Sequence, residues 1–206
     1  MSAVEIVRLK NSVTDQDHAN GPKDAPVTLL EYGNFECVDC GRIFPVIKQV
    51  QKALGNNLRF VFRHFPSVKT HPHAMRAAEA AEAAASQGEF WQMHDELFTH
   101  QQSLEDQHLA RYARRIGLNT ERFHSDLMEN AFLKQLELEY QNALFDEHVT
   151  GTPTLYINEV RYTGATDIQS MLTAIKAADT SGSITLEDTG GRLKRVWHSL
   201  KSHAGN

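Results

Sequence analysis

The spacing of apolar positions in this chain changes several times, and each change marks an element. In PVTLLEYGNFE, Val27, Leu29 and Leu30 suit a central strand that ends near Gly33. The next segment, CVDCGRIFPVIKQVQKALG, sets Ile43, Val46, Ile47, Val50 and Leu54 at helical spacing, with Gly55 as its stop and Pro45 as a predicted kink. LRFVFRHFP, residues 58–66, is rich in β-branched and aromatic residues and closes on Pro66, as a second strand should. Strand, helix and strand at these lengths predict a βαβ unit with parallel strands.

From about residue 68 to 147 the strand pattern disappears. HAMRAAEAAEAAASQG is nearly all strong helix formers and stops at Gly88, and FWQMHDELFTHQ repeats apolar residues at Phe90, Trp91, Leu97 and Phe98. Further helical patterns follow, with Asn119 or Thr120 as an N-cap, so this stretch reads as a helical insertion. Strands return in TPTLYINEVRYTG, where INEVR predicts a tight turn, and TDIQSMLTAIKAA predicts a closing helix from Asp167. The expected organisation is a leader over 1–24, an α/β domain over 25–180 and a tail over 181–206. In that tail, RLKRVWHSLK is basic and amphipathic around Trp197, fit to pack on its own domain or on a second copy, which leaves a homodimer open.

Composition narrows the function. At 206 residues and 41% hydrophobic content the chain can bury one good core. A net charge of -5 with interspersed signs offers no grip on a phosphate backbone, so nucleic acid is not an expected partner. The first twenty residues hold no apolar run behind a basic start, and nowhere do 18 apolar residues run together, so a membrane span is not expected and a cytoplasmic location is.

That compartment bears on the only two cysteines, Cys37 and Cys40, where a strand hands over to a helix. Thiols are kept reduced there, and a disulfide between residues this close would staple almost nothing, so a redox or metal role is expected rather than a structural bridge. Thiol exchange needs a thiolate, and a helix N-terminus favours one through unpaired N–H groups and the positive end of its dipole. Cys37 stands at that end as nucleophile, and Cys40, one turn in, is placed to attack a mixed disulfide at Cys37. Glu31, in the apolar run LLEYG, would have a raised pKa if buried and could take the Cys40 proton; the bland reading is a half-exposed carboxylate at a strand end. Pro153, in VTGTPTLYI, either caps an edge or sits in a cis bond that presents the Thr152 backbone to a substrate strand.

Taken together, CVDC after a strand, Glu31 six residues earlier, the helical insertion, and GTPT before a hairpin resemble the DsbA-like branch of the thioredoxin superfamily over about residues 16–178. DHANGPKDAPVTLLEYGNFEC, HPHAMRAAEAAEAAASQGEFWQMHDELF and GTPTLYINEVRYTGATD look especially like the stand-alone and antiporter-fused bacterial domains of that branch. The resemblance implies a thioredoxin fold with a mixed sheet of four or five strands, dithiol–disulfide exchange with protein substrates through Cys37 and Cys40, Pro153 as the cis proline, and no metal or organic cofactor. Between the cysteines the chain departs from the CPHC of the family's periplasmic oxidases. Val38 and Asp39 stand there, and the Asp39 carboxylate opposes a thiolate beside it, which predicts a less oxidising pair working as reductase or isomerase with a glutathione or thioredoxin system as redox partner. Two readings from other classes compete: a zinc site completed by His64, or by His71 and His73, and a non-catalytic binding module with a vestigial CxxC.

Overall fold

The computed structural model describes residues 6–184, so the run around Trp197 lies outside the described residues. Along the chain come β1 (His18–Asn20), β2 (Val27–Gly33), α1 (Val38–Leu54) and β3 (Leu58–His64). Five helices follow: α2 (Ala74–Ala85), α3 (Phe90–Thr99), α4 (Asp106–Arg115), α5 (Thr120–Met128) and α6 (Leu133–Phe145). The chain then returns through β4 (Thr154–Ile157), β5 (Val160–Tyr162) and α7 (Ile168–Ala178). The sheet order is β1-β3-β2-β4-β5, with β2 parallel to β3 and every other pair antiparallel. This is a thioredoxin fold with a helical insertion.

Strand alternation divides the core in two. Val27, Leu29, Phe60, Phe62, Leu155 and Ile157 meet Ile43, Ile47 and Val50 of α1 and Met171, Leu172 and Ile175 of α7 on one face. Leu30, Tyr32, Val61 and Tyr156 pack on the other with Leu9, Ala143 and Val149. Glu31 shares the parity of Val27 and Leu29, so it is aimed at α1 and not at water.

Helix α1 runs through Pro45 and stops at Gly55, whose φ of 53° lies in the left-handed region. The β4–β5 turn is the two-residue hairpin read from INEVR, and both Asn158 (φ 45°) and Glu159 (φ 66°) take the left-handed conformation that such a turn requires. Asn158 also ties the turn down, accepting from Thr28 N at 2.8 Å and donating to Ala178 O at 2.9 Å.

The segment read from sequence as a leader takes part in the fold. Leu9 N donates to Glu159 O at 2.8 Å and Arg161 N to Val7 O at 2.9 Å, adding residues 7–9 to the outer edge of β5. The buried Glu147 carboxylate accepts from the backbone N–H groups of Lys10 and Asn11, and the chain then reaches the opposite edge as β1. Few apolar residues announce this strap. Its attachment is mostly backbone hydrogen bonding, which leaves no periodic trace.

Candidate active site

The loop between β2 and α1 is built by Asn34. Its Oδ1 accepts from Glu36 N at 2.9 Å and its backbone carbonyl from Cys37 N at 3.1 Å, an Asx turn that delivers Cys37 to the N-cap of α1. Cys37 is extended there (φ −76°, ψ 123°), and its side chain makes no cap hydrogen bond, which leaves the sulfur free for other partners. Cys40, in the first turn, is fully buried, whereas Cys37 keeps 7% of its surface exposed; both are free thiols.

The two thiols are driven apart in acidity. A hydrogen bond from Cys40 is the largest influence on Cys37; burial opposes it, and the Thr152 side chain and the N–H groups of Cys40 and Asp39 add to it, bringing the thiol down to about 5. Burial pushes Cys40 well above the ordinary thiol value, and the charges of Glu31 and Cys37 push the same way. Glu31 is buried with its Oε1 lacking a hydrogen-bond partner among the described residues. Desolvation lifts its carboxyl to about 8 despite a hydrogen bond with Cys40. Gly33 makes room for this arrangement, because a Cβ there would stand 2.3 Å from the Phe62 ring and 3.0 Å from Glu31 Oε1.

Thr152 and Pro153 stand at the same end of the sheet, since Thr154 opens β4 opposite Tyr32. Their peptide bond is cis, and Cys37 Sγ donates to Thr152 O at 3.3 Å. Val38 is 56% exposed beside Cys37. Asp39, read from sequence as opposing the thiolate, is paired by Arg42, whose Nη1 donates to Oδ1 at 2.7 Å, while its own N–H is one of the groups that favour the thiolate. Arg42 lies three residues on, within reach on the same helical face, so the Asp39 charge does not act on the thiol alone.

Gln101, just past the end of α3, was not singled out in the sequence. Its Nε2 donates to Phe35 O at 2.8 Å and to Cys37 O at 2.9 Å, so the helical insertion grips the active-site loop by its backbone. A Cβ on Gly41 would fall 1.8 Å from Gln101 Oε1, so the glycine one residue past the second cysteine is the space in which Gln101 sits. CxxC-G was the available signal, but its partner is 60 residues downstream.

The residues of the zinc reading are dispersed. Among the described residues one group of three ligating side chains has its ligand atoms within 4.8 Å of one another, His18 with His64 and Glu82, and neither cysteine belongs to it. His71 Nδ1 meets Asn34 Nδ2 at 3.3 Å, and the backbone N of His73 donates to Glu36.

Comparison with known proteins agrees with this fold. The family model described as Thioredoxin matches residues 13–177. The Na(+)/H(+) antiporter NhaA 3 of Salinispora tropica is 40% identical over 178 residues, 86% of this chain but 27% of the antiporter. The chain therefore spans about a quarter of the length of the curated relatives it matches. Among solved structures, BdbD from Bacillus subtilis superposes with a TM-score of 0.72 at 22% identity, covering 85% of this chain and 98% of BdbD. The thiol-disulfide exchange protein alpha-DsbA2 from Wolbachia pipientis gives 0.69 at 21% identity, covering 79% and 87%.

Proposed function

From the premise that this chain belongs to the thioredoxin family and carries its fold in the DsbA-like form, we propose that it is a thiol–disulfide oxidoreductase acting on protein substrates through Cys37 and Cys40. The observation that carries the reading is the asymmetry of the pair, an accessible thiol held down at about 5 beside a buried one held far up. A nucleophile should be ionised before substrate arrives and a resolving thiol only afterwards.

In the exchange, the Cys37 thiolate attacks one sulfur of a substrate disulfide, forming a mixed disulfide and releasing the other substrate sulfur as a thiolate that takes up a proton. Cys40 gives its proton to the Glu31 carboxylate and attacks Cys37 sulfur, expelling the second substrate thiolate. The two electrons of the pair then sit on the substrate, and Cys37–Cys40 is a disulfide that a thiol donor such as glutathione or a thioredoxin system reduces again. A carboxyl near 8 is matched to this proton transfer at neutral pH. The Thr152 backbone, beside Cys37 Sγ, offers an extended substrate segment an edge to pair with.

A Cys37 pKa of about 5 falls between the values of about 7 for thioredoxin and about 3.5 for the strong oxidase DsbA. Because a stabilised thiolate stabilises the reduced form, the potential should lie between roughly −270 and −120 mV. That range suits isomerisation, with reduction favoured in the cytoplasm, the compartment this reading adopts. A titration in graded glutathione buffers, trapping thiols with a mass-adding maleimide, tests it. Both cysteines converting together within that range supports the reading; two thiols that stay free in every buffer defeat it.

A further inference from the structure

Where β1 and the end of β3 meet α2, three side chains from three elements converge. His18 on β1, His64 at the end of β3 and Glu82 on α2 point at one spot, with both Nε2 atoms against the same Glu82 Oε1 at 2.6 and 2.8 Å. His64 and Glu82 are buried and His18 is partly exposed. All three border a solvent-open cavity of about 310 Å³.

Two donors on a single carboxylate oxygen are one way to satisfy such a trio, but the set is also that of a metal centre. Two imidazoles and a carboxylate are the three protein ligands of an open zinc site, whose fourth position is left for water or another small ligand. The structure supplies that opening through the cavity. It also supplies orientation, since the His18 ring stacks on Phe90 with centroids 3.5 Å apart and planes 7° from parallel, and His64 lies edge-on to Phe62. Charge favours a cation too: Arg63 borders the cavity but is spent on Asp17, its Nε donating to Oδ1 at 2.6 Å, while Glu82 and Glu139 add negative charge. Zinc at its usual bond lengths of about 2.0–2.2 Å needs ligand atoms roughly 3.3 Å apart. The trio must open by roughly 0.5–0.7 Å, and His18, on a three-residue edge strand, is the side chain with freedom to do so.

We propose that His18, His64 and Glu82 bind one zinc-type divalent cation, with its remaining coordination position facing the cavity. The site is separate from the cysteines and stands whether or not they exchange disulfides. It would tie both parts of the fold together, the sheet through two histidines and the insertion through Glu82.

The full chain carrying Cys37→Ser and Cys40→Ser, washed with chelator, removes thiolate ligation as an explanation. Calorimetric titration with zinc chloride should show one equivalent bound, and cobalt chloride should give the visible bands of a four-coordinate nitrogen–oxygen site. Zinc should raise the melting temperature of this protein. In the same background His18→Gln should weaken zinc by roughly 100-fold or more and abolish the melting shift. Glu82→Gln should do likewise. If Glu82→Gln does not fold, the edge-strand variant and the cobalt spectrum decide alone. No saturable zinc binding, or binding unchanged by His18→Gln, would overturn the proposal and leave the trio as a hydrogen-bonded clasp.

Discussion

Cys40 and Glu31 meet in the dry layer between β2 and α1, where the thiol is fully buried and the carboxyl nearly so; the thiol's hydrogen bond eases ionisation of Glu31, while a charge on Glu31 pushes Cys40 further up. One of them can hold negative charge comfortably, not both. In the exchange proposed above, this coupling would hold the proton on Cys40 until the mixed disulfide has formed.

Replacing Glu31 by Gln separates the two roles of that carboxyl. Its pKa is raised to about 8 on folding, so the native state binds more protons than the unfolded chain between the ordinary carboxylate value and 8, and stability falls as pH rises through that window. Glu31→Gln removes the penalty. Urea melts should show a gain of a few kcal/mol at pH 8 and little at pH 4, while resolution of a mixed disulfide slows by about 10²-fold. An equal change in stability at both pH values would mean that Glu31 is not buried as a neutral acid.

The Cys37 thiol gives a second pH signature with the opposite sign. Its folded pKa is depressed, so its contribution to the stability of the reduced protein is full above the ordinary thiol value of about 8.5 and is lost as pH falls to about 5. The reduction potential should accordingly fall by about 59 mV per pH unit below that point and by about 30 mV above it, as one proton rather than two accompanies the electron pair. A single slope from pH 4 to 8 would place the thiol elsewhere.

Asp39 and Arg42 form an exposed pair, so their influence on Cys37 should be small and salt-dependent. Arg42→Ala uncovers the carboxylate and should raise the Cys37 pKa. Asp39→His should lower it and make the pair more oxidising. Thiol alkylation rates against pH, at low and high salt, read both; an unchanged potential in Asp39→His would break the link between that position and redox poise.

Gln101→Ala removes two backbone hydrogen bonds from the loop and should cost about 1–2 kcal/mol of stability. Since one of them ends on Cys37 O, the Cys37 pKa should move as well, which a purely structural loss would not do. Gly41→Ala displaces the same amide and should produce the same shift, and the two together should cost less than their sum. Full additivity would show that they act independently.

Much of this was legible in the chain itself. The βαβ unit, the insertion, the Asn158–Glu159 turn and the helix starts at Asn119 and Asp167 each rest on a local pattern, and each local pattern survives in the fold. Cys37 and Cys40 could be placed because a strand-to-helix junction is also local, and Glu31 because it stands in the apolar run LLEYG. What could not be read depends on long-range pairing. The grip of Gln101 on Cys37 O, the convergence of His18, His64 and Glu82, and the strap over the sheet join residues whose proximity no periodicity encodes.

The strap also sets an order of events for a nascent chain. Residues 7–9 are made well before their partners Glu159, Val160 and Arg161, which follow only after the whole insertion. The strap must therefore wait for the last strands before it can find its place, and the loop it closes is nearly the length of the domain, a slow step by the usual relation between sequence separation and rate. Until it closes, β5 presents an unguarded edge to any neighbouring chain, so the window before closure is when this protein is most exposed to strand-to-strand aggregation.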